Sequence, residues 1–250
     1  MNVHRIALLL ALSALAAPAC AAAATPEIIA AVASPARTDK DRERDARDKP
    51  VEVMEFAGVK PGMVVADILG GAGYWSELFA GAVGPTGKVM LVNNVPYWHF
   101  AREGLKARFT PGRLPNVEQR LVDSCNLRLA PASLDLAVIV MSYHDLYMTE
   151  EGWPEIDAGQ FIEQIRTALK PGGHLLITDH AAAAGTGSTH AGDLHRIDEE
   201  FAKRDFAAHG LVLEKSWDGL RNPADDRSKV VFDASIRGKT DRFVHLYRRQ

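Results

Sequence analysis

Two short polar stretches follow apolar runs that predict buried strands. Ser142-Tyr143-His144-Asp145 follows the run 134–141, and Asp179-His180 follows the run 174–178. An imidazole beside a carboxylate can act as a general base, because the carboxylate orients the ring that accepts the proton. The same side chains can ligate a metal ion, or form a hydrogen bond that only maintains structure. These three roles stay open from the residues alone.

A glycine-rich turn is the third stretch whose residues could do chemistry. Apolar residues 63–66 predict a strand buried on both faces, which leads through Asp67 to Gly70, Gly71 and Gly73. Glycine lets the backbone turn sharply and approach a ligand closely. Apolar residues at helical spacing come next, and the free N–H groups at a helix start can hold polar or anionic ligand groups. The pattern predicts a nucleotide pocket around this turn.

The elements that position these residues alternate between strands and helices. Seven apolar runs predict strands, at 63–68, 88–92, 117–122, 134–141, 174–178, 211–213 and 243–247. The alternation predicts an α/β fold, doubly wound, with a mainly parallel seven-stranded sheet, helices on both faces and an antiparallel last strand. Residues 51–250 are expected to form this domain, and residues 25–50 an N-terminal helical segment.

Residues 1–24 have the pattern of a secretory signal peptide, with a basic start, a short apolar run and small residues before the cleavage region. We expect an exported protein, periplasmic or secreted. A lipoprotein anchor at Cys20 is the alternative. After cleavage Cys125 is the single thiol, so no internal disulfide is expected. No other stretch approaches the length of a membrane span.

Charge is balanced over the chain. The 250 residues are 47% hydrophobic and 24% charged, with a formal net charge of -3, which is typical of a soluble globular domain and gives no electrostatic reason to expect a nucleic-acid partner. Residues 37–49 alternate six basic with five acidic side chains. This run predicts a solvated helix with local ion pairs, with a lid as the alternative role. The sequence does not indicate an oligomeric state.

Over residues 51–249 the chain resembles the class I S-adenosylmethionine-dependent methyltransferases, and more narrowly an exported bacterial branch of predicted methyltransferases. The motifs that carry the resemblance are the turn 67–73, the Gly87-Lys88-Val89 entry to the second strand, the strand 134–141 and the turn 169–173. The resemblance implies a Rossmann-like methyltransferase fold, S-adenosylmethionine as cofactor and a small-molecule acceptor.

By this resemblance, the glycine turn binds the methionyl end of the cofactor. The backbone at Gly71 and Gly73 would hold that end, although Leu69 stands where the family has its first glycine. Asp67 would either reach the cofactor amine, directly or through water, or tie the turn together.

The next two strand ends would bind the rest of the cofactor. The family usually has a carboxylate after the second strand, which accepts hydrogen bonds from both ribose hydroxyls. Asn93 stands there, and it can accept from one hydroxyl and donate to the other. Asp123, after the third strand, would accept from the adenine amino group. Turn-forming roles are the alternative for both residues.

The fourth strand of the family lies between the first and the fifth, so the resemblance brings His144 and Asp145 close to Asp179 and His180. Methyl transfer needs a deprotonated acceptor in line with the sulfonium methyl group. A neutral His144 would take that proton, with Asp145 orienting the ring. The metal-site alternative uses the same four side chains as ligands.

Further residues are expected beside the acceptor. They are Tyr143, Asp179 and His180 at the strand ends, and His195 after the small, glycine-rich stretch 181–192, which is expected to be a mobile loop. These residues would contact substrate or close over it.

Three functions follow from these patterns. The first is S-adenosylmethionine-dependent methyl transfer to a small molecule. The second is a non-catalytic, exported ligand-binding domain, since Leu69 and Asn93 depart from the family pattern and the cofactor is a cytoplasmic metabolite. The third is a metal-dependent enzyme whose site is formed by His144 and His180 at the ends of the fourth and fifth predicted strands. The acceptor would be selected largely by loops, which the sequence alone does not identify.

Overall fold

The computed structural model describes residues 25–250, so the expected signal peptide and Cys20 lie outside the described residues. The helices are α1 (Pro26–Ala33), α2 (Asp39–Asp48), α3 (Pro50–Phe56), α4 (Tyr74–Val83), α5 (Val95–Arg108), α6 (Ala158–Ala168) and α7 (Glu199–Ala208), with a 3₁₀ turn at His144–Tyr147. The strands are β1 (Val64–Ile68), β2 (Lys88–Asn93), β3 (Val117–Leu121), β4 (Leu134–Val140), β5 (Leu169–His180), β6 (Leu211–Trp217) and β7 (Arg242–Arg249).

The seven strands form one sheet in the order β3-β2-β1-β4-β5-β7-β6. Strands β1 to β5 pair in parallel, and β7 runs antiparallel between β5 and β6. The predicted mainly parallel, seven-stranded sheet with an antiparallel last strand is confirmed. The strand order reverses between β1 and β4, and ligands of open α/β sheets bind outside the carboxyl ends at such a point.

Burial on both faces explains the continuous apolar runs of the central strands. Ala66 and Ile139 pack into one core cluster, whereas their neighbours Val65 and Val138 pack into another on the opposite face. Successive strand residues point to opposite faces, so both faces of the sheet are covered.

Four helices begin directly after a residue whose side chain caps the helix. Thr38, Asn94, Asp157 and Asp198 each accept a hydrogen bond from a backbone N–H in the first turn of the helix that follows. Such caps satisfy N–H groups that have no partner within the helix. The cap at Asn94 starts α5 directly after β2, which brings the first turn of α5 over the carboxyl end of the sheet.

Strand β5 is longer than predicted. The turn 169–173 was expected to precede the strand, and α6 does end at Ala168. The pairing with β4 nevertheless begins at Leu169 and resumes at His174, with an irregular register between them. The Lys-Pro-Gly-Gly segment therefore forms a bulge within β5, which Gly172 accommodates with a φ of 76°.

The N-terminal segment contains the helices α1 and α2, and α2 is not a fully solvated helix. Asp41 and Asp48 are buried, with 5% and 4% of their surface exposed. Asp41 pairs with Arg108 of α5 at 2.8 Å, and Asp48 pairs with Arg242 of β7 at 2.8 Å. The alternating charges predict ion pairs within the helix. Some of these side chains instead form ion pairs with α5 and β7.

Within residues 25–250, no helix combines the length and apolar character needed to cross a bilayer.

Candidate functional site

The glycine turn joins β1 to α4 through three residues with positive φ. The φ angles of Leu69, Gly71 and Gly73 are 53°, 58° and 79°. This region favours glycine, because a side chain is crowded there. Leu69 is held in it by core packing, with 3% of its surface exposed, and by its N–H, which donates to the Val92 carbonyl at 2.7 Å. The turn thus keeps left-handed geometry where the family has glycine.

The turn is crowded at Gly70 and less crowded at Gly71. A Cβ at Gly70 would lie 2.4 Å from Oδ2 of Asp67, so no side chain fits at that position. A Cβ at Gly71 would meet, among the described residues, only a ring carbon of Phe100 at 3.9 Å. Gly71 is thus less crowded than Gly70, although its backbone is buried.

Asp67 lies beneath the turn at the end of β1, with 1% of its surface exposed. The Ser76 hydroxyl donates to its Oδ2 at 2.6 Å, whereas its buried Oδ1 has no hydrogen-bond partner within residues 25–250. Burial raises the pKa of Asp67 to about 6, against the smaller opposing effect of the Ser76 hydrogen bond. A buried carboxylate oxygen without a donor is costly, and an added donor would satisfy it.

Asn93 ties the turn together. Its Oδ1 accepts from the Gly71 N–H at 3.0 Å, and its Nδ2 donates to the Gly71 carbonyl at 2.8 Å. The side chain is fully buried. In this geometry Asn93 serves the turn-forming role that the sequence left open.

Asp123 is exposed on the wall of a cavity of about 650 Å³ at the carboxyl ends of β2 and β3. This volume is typical of small-ligand sites. The cavity is lined by Asn94, Val95, Pro96, Val122, Asp123, Ser124, Cys125, Gly152, Trp153, Pro154 and Glu155. The Asn94 side chain caps α5 and contacts Ser124, so it is already bound within the protein.

A second cavity, of about 590 Å³, lies between α2, the glycine turn and α5. Gly70 and Ala72 of the turn face Arg44 and Arg47 of α2 across it. Helix α2 thus covers the turn from above.

His144 lies at the mouth formed by the ends of β4 and β5, with 3% of its surface exposed. Its Nδ1 is 2.8 Å from Oδ1 of Asp179, and its Nε2 is 3.1 Å from Oδ1 of Asp145. The backbone N–H groups of His144 and His180 both donate to Asp179, at 2.9 and 2.7 Å. The Tyr97 hydroxyl donates to Oδ2 of Asp145. The predicted group of two histidines and two aspartates is assembled.

The two carboxylates change the charge expected on His144. Burial disfavours the charged ring, but Asp179 and Asp145 outweigh it and raise the pKa of His144 to about 10. His144 is therefore a cation at neutral pH, which differs from the neutral base that the sequence suggested. Burial, and then the charge of His144, lower the pKa of both His180 and His195.

Of the other predicted residues, His180 and His195 lie near His144 at the mouth, whereas Tyr143 lies in the core. The His195 ring lies 5.4 Å from that of His144, and the His180 ring lies 6.2 Å from it. Nδ1 of His180 is 2.7 Å from the Thr240 hydroxyl. Tyr143 is fully buried, and its hydroxyl donates to Asp205 at 2.6 Å, away from the mouth.

Sequence reasoning missed three residues of the site. Tyr97 and Ser76 bind Asp145 and Asp67 from the helices α5 and α4, and Trp153 donates its Nε1–H to the Asp145 carbonyl at 3.1 Å. Trp153 also lines the cavity beside Asp123, so it connects that cavity with the mouth. The short spacing of Ser76 from the glycine turn is the only signal that could have indicated one of them.

Comparison with known proteins finds sequence and fold similarity to methyltransferases. No protein-family model matches the chain. The ubiquinone/menaquinone biosynthesis C-methyltransferase UbiE of Hydrogenovibrio crunogenus is 28% identical over 127 residues, which cover 50% of this chain and 45% of that protein. The chain thus matches about half the length of such curated relatives.

Solved structures share the fold over most of the chain. A SAM-dependent methyltransferase from Aquifex aeolicus superposes with a TM-score of 0.58 at 20% identity, covering 85% of this chain and 99% of that one. The [4+2]-cyclase SpnF superposes with a TM-score of 0.57 at 17% identity, covering 89% and 92%. The Rossmann-like methyltransferase fold and the resemblance are confirmed, whereas the exported branch stays a prediction.

Proposed function

We propose, from this methyltransferase fold, that the chain transfers a methyl group from S-adenosylmethionine to a small-molecule acceptor. Support comes from the sequence similarity to C-methyltransferases and from the cavities at the carboxyl ends of β1 to β3. One of the structural neighbours is a cyclase, so the fold alone does not decide the reaction. The proposal therefore depends on the residues of the site.

The observation that carries the proposal is the unpartnered Oδ1 of Asp67. A carboxylate buried below the glycine turn fits the ammonium group of an amino-acid ligand, because the ammonium would supply the missing donors. The N-cap residue of α4, Gly73, makes no side-chain cap bond, so the first N–H groups of this helix suit the carboxylate of such a ligand.

Fewer protein groups are available to bind the adenosine end of the cofactor. Asp123 is free to accept a hydrogen bond at the 650 Å³ cavity. Asn93 and Asn94 both use their side chains within the protein, so neither offers the ribose contact that a carboxylate makes in the family. We propose that Asp67 and Asp123 contact the cofactor, that Gly71 and Gly73 give the turn the shape that fits it, and that Asn93 fixes this shape through both backbone groups of Gly71.

The cofactor, when bound, supplies an electrophilic methyl group, and the residues of the mouth act on the acceptor. The His144 cation would attract an acceptor that is an anion after deprotonation. His195 is half-buried beside it, and its lowered pKa keeps the ring neutral and able to accept a proton. Tyr97 and Asp179 fix the orientation of this group, and alignment supplies much of the rate.

Isothermal titration of the purified protein with S-adenosylmethionine and S-adenosylhomocysteine tests the proposal. We expect one site per chain, weakened roughly 10- to 100-fold by Asp67→Asn, because a charge-assisted hydrogen bond is lost. Asp218→Asn, whose side chain is 87% exposed, is the matched control and should bind as the wild type does. Absence of heat at millimolar ligand would exclude the cofactor.

We also propose that the protein is exported and loses residues 1–24. The basic start, apolar run and small residues of that segment support this. Expression in a Gram-negative host, followed by fractionation and N-terminal sequencing, should give a periplasmic chain that begins near residue 25. A cytoplasmic chain that retains Met1 would contradict the proposal.

A further inference from the structure

The mouth brings together three metal-ligating side chains of two kinds. One donor atom each from His144, Asp145 and His195 lie within 4.8 Å of one another. His144 and Asp145 are already 3.1 Å apart. Donors bound about 2.0 to 2.2 Å from a tetrahedral ion are roughly 3.3 to 3.6 Å apart, so the His195 nitrogen would move by up to about 1.5 Å to complete the set.

Asp179 orients His144 in the way that carboxylates orient metal-binding histidines. The Nδ1–H of His144 donates to Asp179 at 2.8 Å, which directs Nε2 towards Asp145 and His195. Asp179 is itself fixed by two backbone N–H groups. A histidine bound through one nitrogen to a carboxylate presents its other nitrogen as a more basic ligand.

Asp145 is oriented with similar precision. Tyr97 donates to its Oδ2, which leaves Oδ1 on the side of His144. The Trp153 indole holds the Asp145 backbone at 3.1 Å. One carboxylate oxygen is thus occupied by a neutral donor, and the other faces the two imidazoles.

His195 closes the group from the far side. Its ring is half-buried between His144 and Phe232, with ring centroids 5.4 and 4.8 Å away. Phe232 is 54% exposed, so this side of the mouth is open to solvent. An ion there would keep a coordination position for water or for an anionic oxygen.

We propose that His144, Asp145 and His195 bind a divalent transition-metal ion of the zinc or ferrous class. Two imidazoles and one carboxylate suit these ions, whereas magnesium and calcium prefer oxygen ligands throughout. The set differs from the sequence-based candidates, because His195 takes the place of His180, whose Nδ1 is bound to Thr240. The proposal is tested by binding alone, without the cofactor. An ion on these ligands would take the place of the proton on Nε2 of His144 and would occupy the His195 nitrogen, so it would replace the proton-accepting role proposed above for His195.

Titration of the chelator-treated protein with zinc, without S-adenosylmethionine, is the test. We expect one ion per chain and a loss of affinity on the order of 100-fold in His195→Ala, since a direct ligand is removed. Asp179→Asn should weaken binding roughly 10- to 100-fold through the orientation of His144. His190→Ala is the control. Among the residues that the structure describes, the His190 side chain pairs only with Asp193, at 3.1 Å, so its loss should leave the affinity unchanged.

Cobalt substitution provides a second readout. A cobalt ion on these ligands should give visible absorption that His195→Ala abolishes and His190→Ala retains, with far-UV circular dichroism confirming that each variant is folded. If His195→Ala does not fold, Asp145→Asn replaces it with the same expectation. Absence of zinc binding at micromolar concentration, or equal affinity in the wild type and the ligand variants, would overturn the proposal.

Discussion

Leu69 and Asn93 differ from the residues that the family has at these positions, yet the glycine turn keeps its backbone shape. The left-handed φ of Leu69 costs about 1–2 kcal/mol relative to glycine, but the buried side chain contributes more through packing. Asn93 takes both backbone groups of Gly71, and so fixes the turn from the second strand. These residues retain the shape of the turn. The Asn93 side chain is used within the protein and offers no direct contact to a ribose.

Replacing Leu69 with glycine should therefore destabilise the protein, although it restores the family residue. Removal of a buried leucine side chain costs roughly 2–5 kcal/mol, and relief of the left-handed conformation returns about 1–2. We expect a net loss of about 1–3 kcal/mol in the free energy of unfolding, measured by urea denaturation. A variant at least as stable as the wild type would show that strain outweighs packing at this position.

Asp67 predicts a pH-dependent stability. Its pKa is about 6 in the folded protein against 3.8 as the reference, so the folded state holds the proton more tightly and stability falls as the pH rises from about 4 to 6. Asp67→Asn removes this loss. The variant should be more stable than the wild type by about 3 kcal/mol at pH 7.5, and equal to it below about pH 4.

Urea denaturation at several pH values checks this expectation. A difference that is constant from pH 4 to pH 7.5 would contradict it, because the amide would then be acting through packing alone.

The roles of residues were harder to predict than their positions. The sequence placed His144, Asp145, Asp179 and His180 at one mouth, and the structure assembles them there. It could not give the charge of His144, which depends on Asp179 of β5 at 2.8 Å and on Asp145 of the 3₁₀ turn at 3.1 Å. Nor could it give the contact of Tyr97, since a tyrosine in a helical pattern indicates burial but not its partner.

At the scale of elements, α2 is held by buried ion pairs instead of an apolar face. Arg108 donates to Asp41 at 2.8 and 3.0 Å, to Glu77, and to the Ala72 carbonyl of the glycine turn. The Tyr74 hydroxyl donates to Asp45 of α2 at 2.6 Å. These contacts connect the helix to the turn it covers, so loosening α2 would also loosen the candidate cofactor site.

Arg108→Gln should release α2. The change leaves the buried carboxylate of Asp41 unpaired, and breaking a buried pair in this way costs roughly 3–5 kcal/mol. We expect that loss in urea denaturation, together with faster proteolysis within residues 37–49. Adding Asp41→Asn should recover part of the stability, because the unpaired charge is removed.

Arg102→Gln on the same helix is the control for this experiment. The Arg102 side chain is 66% exposed and, within residues 25–250, pairs only with its neighbour Glu103, so its loss should change stability by less than about 0.5 kcal/mol. Equal effects of the two substitutions would mean that the buried pairs do not hold α2.

At the scale of the whole molecule, the order of elements was the most predictable property. Apolar runs such as 134–141 are long enough and regular enough to predict strands, and breakers such as Gly84-Pro85-Thr86-Gly87 separate them. The docking of α2 was not predictable in this way, because a run of alternating charges has the same pattern whether its partners are local or distant. Long-range pairs such as Asp48 with Arg242 need the three-dimensional arrangement.

Cofactor binding should stabilise the whole fold, since a ligand that binds only the folded state shifts the unfolding equilibrium. At 100 times its Kd, S-adenosylhomocysteine should add about 2.7 kcal/mol, or roughly 5–10 °C in Tm for a domain of this size. Differential scanning fluorimetry measures the shift, with methionine at the same concentration as the control. Asp67→Asn should show a smaller shift, and an equal shift would remove Asp67 from the site.

The exposed thiol of Cys125 on the wall of the 650 Å³ cavity gives this molecule a ready position for an optical reporter. The sequence contains one other cysteine, Cys20, in the segment expected to be cleaved. A thiol-reactive fluorophore would therefore attach at a single defined point, two residues from Asp123, without any engineered cysteine. Its emission would follow the filling of the cavity in real time, and so give the association and dissociation rates of a ligand.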